Sequence, residues 1–354
     1  MQKITSASFF IGKDDPGLIS FGSGQPDLPP PDEAFDILPT YRDFKYGLVQ
    51  GMLKLRENLA KQYLDAPAES FVITNGASEA LDLSLRALYV PGGKIMLPRP
   101  YYYSYPFNVE FSGMESVFYD LEKGKINFEN FKSKLNGVRA IVINSPSNPT
   151  GTIQNIETLK KIEKIAKEKN IYIISDEVYK DLIYERENYL IQGDNVLTIN
   201  SFSKTYAMCG FRVGYVYARE KELINKIIEI KTHTSMNTNI LGQEMAIAAM
   251  RVPEIFLEDQ VATWKKRRDI IYNGLKDLGL DLWKPEGAFY VFPKMKNPNK
   301  VVNDLYYKYK VMVYDGAWFG SPDRVRLSYA LGEEKIVEGL KRIKDYLGKE
   351  YLEN

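Results

Sequence analysis

Between residues 71 and 217 the chain alternates short apolar, β-branched runs with longer stretches whose apolar residues recur every three or four positions. The short runs fit strands covered on both faces, and the longer stretches fit helices that pack one face on a sheet. Seven strands are predicted, over 71–74, 94–97, 115–119, 140–144, 172–175, 196–200 and 212–217. The clearest helix among them begins after Asn155, whose side chain can cap it, and runs to Lys169. Its Ile156, Leu159, Ile162, Ile165 and Ala166 share the sheet-facing side. Such a helix between two strands is a βαβ unit, so the predicted class is α/β, a seven-stranded mostly parallel sheet sandwiched by helices.

After a helix over 241–250 the pattern changes. Pro253 opens a long helix reaching Leu278, followed by a few strands and a terminal helix. The expectation is a large domain over 36–250 and a smaller α+β domain over 251–354. Residues 1–35 carry many Gly and Pro and little periodicity, which predicts an extended arm packing on the small domain. No repeat or low-complexity tract is present.

Composition narrows the function classes. The 354 residues suffice for two domains, and 47 Lys plus Arg against 46 Asp plus Glu, without a block of like charge, give no footprint for nucleic acid or an anionic membrane. Small molecules are the expected partners. No apolar run reaches the roughly 18 residues that cross a bilayer. Cys209 is the only cysteine and the N-terminus lacks the order of a signal peptide, so a cytoplasmic location is expected. His233 is the only histidine, which argues against a histidine metal cluster or a Ser-His-Asp triad.

Several segments at strand ends carry candidate chemistry. Ser201-Phe202-Ser203-Lys204 follows one strand, with Gly210-Phe211-Arg212-Val213-Gly214 just beyond. Lys204 alone reads as a solvated loop cation, but the hydroxyls of Ser201 and Ser203 and the Arg212 guanidinium together suit a phosphate dianion. The run 74–81 ends a strand and opens a helix, so the N–H groups of Gly76, Ala77 and Ser78 could meet an anion; an ordinary helix capped by Ser78 is the alternative. Asp176 stands at the carboxyl end of an apolar strand, where it could keep a pyridine nitrogen protonated, with Tyr179 one turn on. A helix cap and a packed tyrosine are the plainer reading.

Asn148 sits in the rigid turn 144–151 between two prolines, as a hydrogen-bond donor or a bare turn former. In the run 100–105, Tyr102 and its neighbours could stack on a planar heterocycle or merely cover the sheet rim. Arg326 is placed on a small-domain strand, suited to a two-point grip on a carboxylate, or else to a surface salt bridge.

Taken together, Gly-Gln-Pro-Asp at 24–27, Asn-Gly-Ala-Ser-Glu-Ala-Leu at 75–81, Ser-Asn-Pro-Thr-Gly at 147–151, Ser-Asp-Glu-Val-Tyr at 175–179, Ser-Phe-Ser-Lys at 201–204, Gly-Phe-Arg-Val-Gly at 210–214 and Arg-Leu-Ser at 326–328 resemble the class I/II aminotransferases of pyridoxal-phosphate fold type I, the aspartate aminotransferase superfamily. The resemblance covers nearly the whole chain. It implies that Lys204 holds pyridoxal 5'-phosphate as a Schiff base and, once freed, moves the α-proton, and that Asp176 pairs with the pyridinium nitrogen. It further implies that Tyr179 and Asn148 contact the phenolic oxygen, that Tyr102 stacks on the ring, and that Gly76, Ala77, Ser78, Ser201 and Arg212 hold the phosphate. Arg326, helped by Gly24 and beside Asn148, would bind the substrate α-carboxylate. Tyr46, in the segment 46–51, would reach the phosphate of a neighbouring subunit, which implies a homodimer.

The implied reaction moves an amino group between an L-amino acid and a 2-oxo acid in ping-pong fashion. A lyase or decarboxylase on the same cofactor needs the same Lys204 and Asp176 and differs in which bond at Cα stands perpendicular to the ring. A cofactor-binding regulator is a third reading, disfavoured by the lack of a helix-turn-helix segment, and no Gly-x-Gly-x-x-Gly marks a dehydrogenase. No residue marks a pocket for a dicarboxylate, and the 25 Tyr and 17 Phe are expected mostly in core or rim.

Overall fold

The structure is a computed structural model that describes residues 15–185 and 187–352, with side chains up to residue 348. Residues 1–14 of the expected arm lie outside the described residues. In chain order the described strands are β1 (Ile19–Ser20), β2 (Phe71–Thr74), β3 (Lys94–Arg99), β4 (Glu115–Glu122), β5 (Lys125–Ile126), β6 (Val138–Asn144), β7 (Tyr172–Asp176), β8 (Val196–Ser201), β9 (Gly214–Ala218), β10 (Tyr290–Val291), β11 (Val311–Met312), β12 (Tyr314–Asp315) and β13 (Val325–Ser328).

One sheet runs β2-β9-β8-β7-β6-β3-β4-β5. The inner pairs β3/β4, β3/β6, β6/β7 and β7/β8 are parallel, while β9 is antiparallel to both β2 and β8. All seven expected strands are present, and the short β5, hairpinned on β4, adds an eighth at the edge. The strand expected over 212–217 begins only at Gly214. Arg212 instead adopts a left-handed conformation, φ 55°, at the end of a short 3-10 turn over Cys209–Phe211. That turn detaches its side chain from the strand ladder.

Alternation along the central strands divides the core. Val142 and Ile174 meet Leu81, Leu85 and Ile227 on one face. Ile141, Ile143 and Ile173 meet Leu159 and Ile162 on the other. Both faces are covered by helices, which is why these strands read as continuous apolar runs. The helix after Asn155 spans Ile156–Glu168 with the expected apolar stripe, although the Asn155 side chain makes no capping bond.

Beyond the helix Glu254–Asp277, whose N-cap is Pro253, an antiparallel sheet β10-β13-β12 gathers a second core around Trp264, Phe289 and Ile271. The arm enters this core. β1 pairs in parallel with β11, and Phe21, fully buried, donates its N–H to Met312 O at 2.8 Å and accepts from Ser328 N at 2.6 Å. Burying such a ring is worth about 1.5–3 kcal/mol. It fixes the chain just before Gly22 and Gly24. Ala34, by contrast, packs with Phe71, Phe202 and Met245 beside the large sheet. Among the described residues no helix is long and apolar enough to cross a membrane.

Candidate active site

A cavity of about 630 Å³ opens at the carboxyl ends of the parallel strands. In the order β7-β6-β3-β4 the chain leaves β3 outward to β4 and returns on the far side to β6, so the loops after β3 and β6 part there. Such a switch point is where open α/β sheets bind ligands. Most expected site residues reach this cavity: Ala77, Ser78, Tyr102, Asn148, Asp176, Tyr179, Ser201, Lys204 and Arg212 from the large sheet, Gly24 from the arm and Arg326 from β13. Gly76 lies immediately behind Ala77. Tyr46 does not line it and is 84% exposed on the surface.

One end is built from backbone. β2 leads through Asn75 into a helix that starts at Gly76, not at a Ser78 cap, and no side chain caps its first turn. First-turn N–H groups have no intrahelical acceptors, and the helix dipole adds positive potential there. The Arg212 guanidinium closes the same end, donating from Nη1 to Cys209 O at 2.9 Å and from Nη2 to Asn75 O at 3.2 Å. Gly76 has φ +78°, and a Cβ on it would stand 2.4 Å from Arg212 Nη2. A Cβ on Gly214 would stand 2.6 Å from the carbonyl carbon of Gly76. Gly76 is therefore required by its positive φ, and Gly214 by the close approach of backbone. The Ser201 hydroxyl, which accepts from Ser203 N at 3.3 Å, lies on this side too.

The floor carries the titratable groups. Asp176 is buried, with Oδ2 accepting the Tyr105 hydroxyl at 2.5 Å and Oδ1 accepting Val178 N at 3.3 Å. It thus caps a turn and faces the cavity at once. Burial pushes its pKa up to about 6, against the pull of Tyr105, the Val178 N–H and Lys204. Lys204 stands on the short helix Phe202–Thr205, and its Nζ donates to Gly24 O at 2.6 Å. Burial lowers its pKa below the usual lysine value; Cys209 and Asp176 oppose this, while Arg326 and Arg212 add to it. Tyr179 shares a 2.7 Å hydrogen bond with the Tyr290 hydroxyl, and burial holds its phenol well above the ordinary range. The Tyr102 ring meets Tyr103 and Tyr105 edge-on, with centroids 4.7 and 5.4 Å apart.

The other end is built from side chains. Arg326 is only 2% exposed, and no carboxylate pairs with it among the described residues, which removes the surface salt bridge as its explanation. Its Nη1 donates to Asn148 Oδ1 at 3.1 Å and its Nη2 to Gly22 O at 2.6 Å. The rings of Tyr290, Tyr314 and Phe319 surround the guanidinium at 4.7, 4.9 and 4.8 Å. Its Nε is buried without a hydrogen-bond partner. Asn148 is held in turn, its N–H donating to Asn144 Oδ1 at 2.8 Å.

Sequence reasoning missed Gly22, Tyr105, Tyr290 and Tyr314. Tyr105 ended the tyrosine run that had been singled out, and Gly22 lies two residues before Gly24. Tyr290 and Tyr314 carried no signal beyond sitting on apolar strands.

Comparison with known proteins places this geometry. A family model described as aminotransferase class I and II matches residues 16–343. The chain is 36% identical to a probable aspartate/prephenate aminotransferase of Aquifex aeolicus, over 93% of this chain and 91% of that protein. It is 34% identical to an aspartate aminotransferase of Thermotoga maritima, over 93% and 91%. A crystal structure of Thermotoga maritima aspartate aminotransferase superposes with a TM-score of 0.90 at 32% identity, covering 97% of this chain and 95% of that one. An aromatic aminotransferase of Pyrococcus horikoshii superposes at 0.89 and 29% identity, over 95% and 97%. Fold, cavity and relatives agree: the chain belongs to the class I and II aminotransferases, enzymes that depend on pyridoxal phosphate.

Proposed function

We propose that this cavity binds pyridoxal 5'-phosphate through Lys204 and transfers an amino group between an L-amino acid and a 2-oxo acid by a ping-pong mechanism. The observation that carries the reading is the convergence of Lys204, Asp176, Arg212 and Arg326 on one cavity at the strand ends. The residues fit the cofactor. Gly76 and Gly214 clear space beside an uncapped helix start, Asp176 is a buried carboxylate with no cationic hydrogen-bond partner among the described residues, and Arg326 keeps an orphaned Nε. The N–H groups of Gly76, Ala77 and Ser78, with Ser201 and Arg212, would hold the phosphate; Tyr102 would face the ring, Asp176 its nitrogen, and Tyr179 and Asn148 its phenolic oxygen. When bound, the cofactor supplies a carbonyl carbon that takes up the amino group and a ring that withdraws electrons from the substrate Cα.

The chain's own residues do the rest. Arg326, with Gly24 and Asn148 beside it, grips the α-carboxylate and fixes which bond at Cα is labile. The Lys204 amine, whose pKa burial lowers, takes the proton from Cα at Nζ and passes it on. Asp176 supplies the fixed negative charge that favours a protonated ring nitrogen. Tyr46 would complete the phosphate grip of a neighbouring subunit, so we read the enzyme as a homodimer. The exposure of Phe44, Tyr46 and Leu48 at 85%, 84% and 63% supports that reading. We also favour the division 36–250 and 251–354 with an N-terminal arm, and a cytoplasmic location in keeping with the single Cys209.

The test is to incubate the cofactor-loaded enzyme with an amino-acid panel and no 2-oxo acid. Stoichiometric conversion of the bound cofactor to its amino form is expected, while steady release of ammonia or carbon dioxide would establish lyase or decarboxylase chemistry instead. The named activities of the relatives span aspartate, prephenate and aromatic substrates.

A further inference from the structure

Tyr179, in the turn after β7, and Tyr290, on β10, stand 111 residues apart in the sequence, yet their hydroxyls meet at 2.7 Å in the cavity wall. Both side chains are buried, and the rings cross edge-on with centroids 5.8 Å apart. The ladder with β13 sets the position of Tyr290. Pairing with Ser328 places its ring diagonal to Arg326 on the same sheet face, 4.7 Å from the guanidinium. A Cβ on Gly24 would stand 2.9 Å from the Tyr290 hydroxyl, so the arm closes over that oxygen. Two buried hydroxyls that satisfy each other need no further purpose. Counting their protons gives the pair one.

A phenol has one proton to donate and lone pairs with which to accept. If Tyr179 gives its proton to the cofactor's phenolic oxygen, the 2.7 Å bond can run only from Tyr290 to Tyr179. Burial, opposed by Arg326, raises Tyr290 to about 12, so that proton is in place at neutral pH. We propose that Tyr290 is a positioning residue, which donates to Tyr179 and thereby turns the Tyr179 proton toward the cofactor and strengthens its donation. Hydrogen bonds in such a chain polarise one another. The inference rests on the reading that Tyr179 faces the phenolic oxygen. A donor there stabilises the oxygen's negative charge most when the nearby Lys204 nitrogen carries no proton. It therefore lowers the pH at which that nitrogen titrates, and a weakened donor raises it.

The test is the pH titration of visible absorbance in the cofactor-loaded enzyme. Tyr290→Phe keeps the ring against Arg326 and removes the hydroxyl, and the midpoint should rise by about 0.4–1 pH unit. Tyr179→Phe should raise it at least as far. In the Tyr179→Phe background, adding Tyr290→Phe should move the midpoint by less than about 0.2 unit, because the effect passes through Tyr179. Calorimetric binding of a small carboxylate at Arg326 should stay the same in Tyr290→Phe. An unchanged or lowered midpoint in Tyr290→Phe, or an equal rise in both backgrounds, overturns the proposal and leaves the cofactor site standing. Lost carboxylate binding would make Tyr290 a packing partner of Arg326 and overturn it as well. A midpoint that does not move in Tyr179→Phe would instead overturn the reading on which the proposal rests.

Discussion

Arg212 and Arg326 both bring a guanidinium to one cavity, and they are held by opposite means. Arg212 is exposed, stands on a left-handed backbone, and is fixed by the carbonyls of Cys209 and Asn75 against Gly76. Arg326 is buried, stands on a regular strand, and is fixed by three aromatic rings, Asn148 and Gly22. The first arrangement suits a group that is bound once and kept, gripped mainly by peptide N–H groups. The second suits a carboxylate that comes and goes, because packing holds the guanidinium in place when its ligand has left. Lys204, between them, joins the two functions.

The sharpest way to break the comparison is therefore at its centre. Lys204→Ala should abolish turnover and the yellow absorbance of the bound cofactor while circular dichroism stays unchanged; retained activity would refute the assignment. Arg326→Met comes next. It leaves Asn148 Oδ1 and Gly22 O without their donor and the α-carboxylate without its grip, and steady-state kinetics should show kcat/KM falling about 100-fold or more. Arg326→Lys should recover only part of this, since a point charge replaces a planar fork. Cofactor affinity should barely change in either variant, because the other end holds it.

At the phosphate end, Gly76→Ala puts a Cβ 2.4 Å from Arg212 Nη2 at a φ of +78°. The arginine tip can yield, but the backbone strain remains, at about 1–3 kcal/mol. Fluorescence titration of the cofactor-free protein should show cofactor affinity weakened about 10- to 50-fold. Calorimetric binding of a small carboxylate at Arg326 should stay the same. A matching loss at both ends would mean that they are not independent.

The same contrast explains what was legible in the sequence. A grip made of backbone needs small residues and turns in unbroken stretches, and 75–81, 201–204 and 210–214 are such stretches. The helix start at Gly76 and the closing Arg212 could be read from them, although the left-handed turn at Arg212 looked like more strand. A grip made of packed side chains leaves no such stretch. The two hydrogen bonds of Arg326 span 178 and 304 residues, and the bond from Tyr105 to Asp176 spans 71. Arg326 was legible only through Arg-Leu-Ser, and Tyr290, Tyr314 and Gly22 not at all, because their role comes from where β1, β10, β12 and β13 meet. The central strands were the easiest elements to read, since burial on both faces writes apolar residues at every position.

The smallest effect tests whether Asp176 belongs to the kept cofactor or to the free protein. Its carboxyl has a pKa raised to about 6 by burial, so the folded, cofactor-free chain holds that proton more tightly than the unfolded chain does. For the free protein this sign means stability that is present at low pH and lost as pH rises through about 6. For the complex the sign reverses, because only the ionised carboxylate can pair with a protonated ring nitrogen. Cofactor affinity should therefore fall as pH drops from about 7 to about 5, by up to about tenfold more than in Asp176→Asn, which cannot titrate. The variant also absorbs the pH dependence of the cofactor's own phosphate, leaving the difference to Asp176 alone. Parallel pH profiles for the two proteins would take Asp176 away from the ring nitrogen and leave it as the cap of Val178 and the partner of Tyr105.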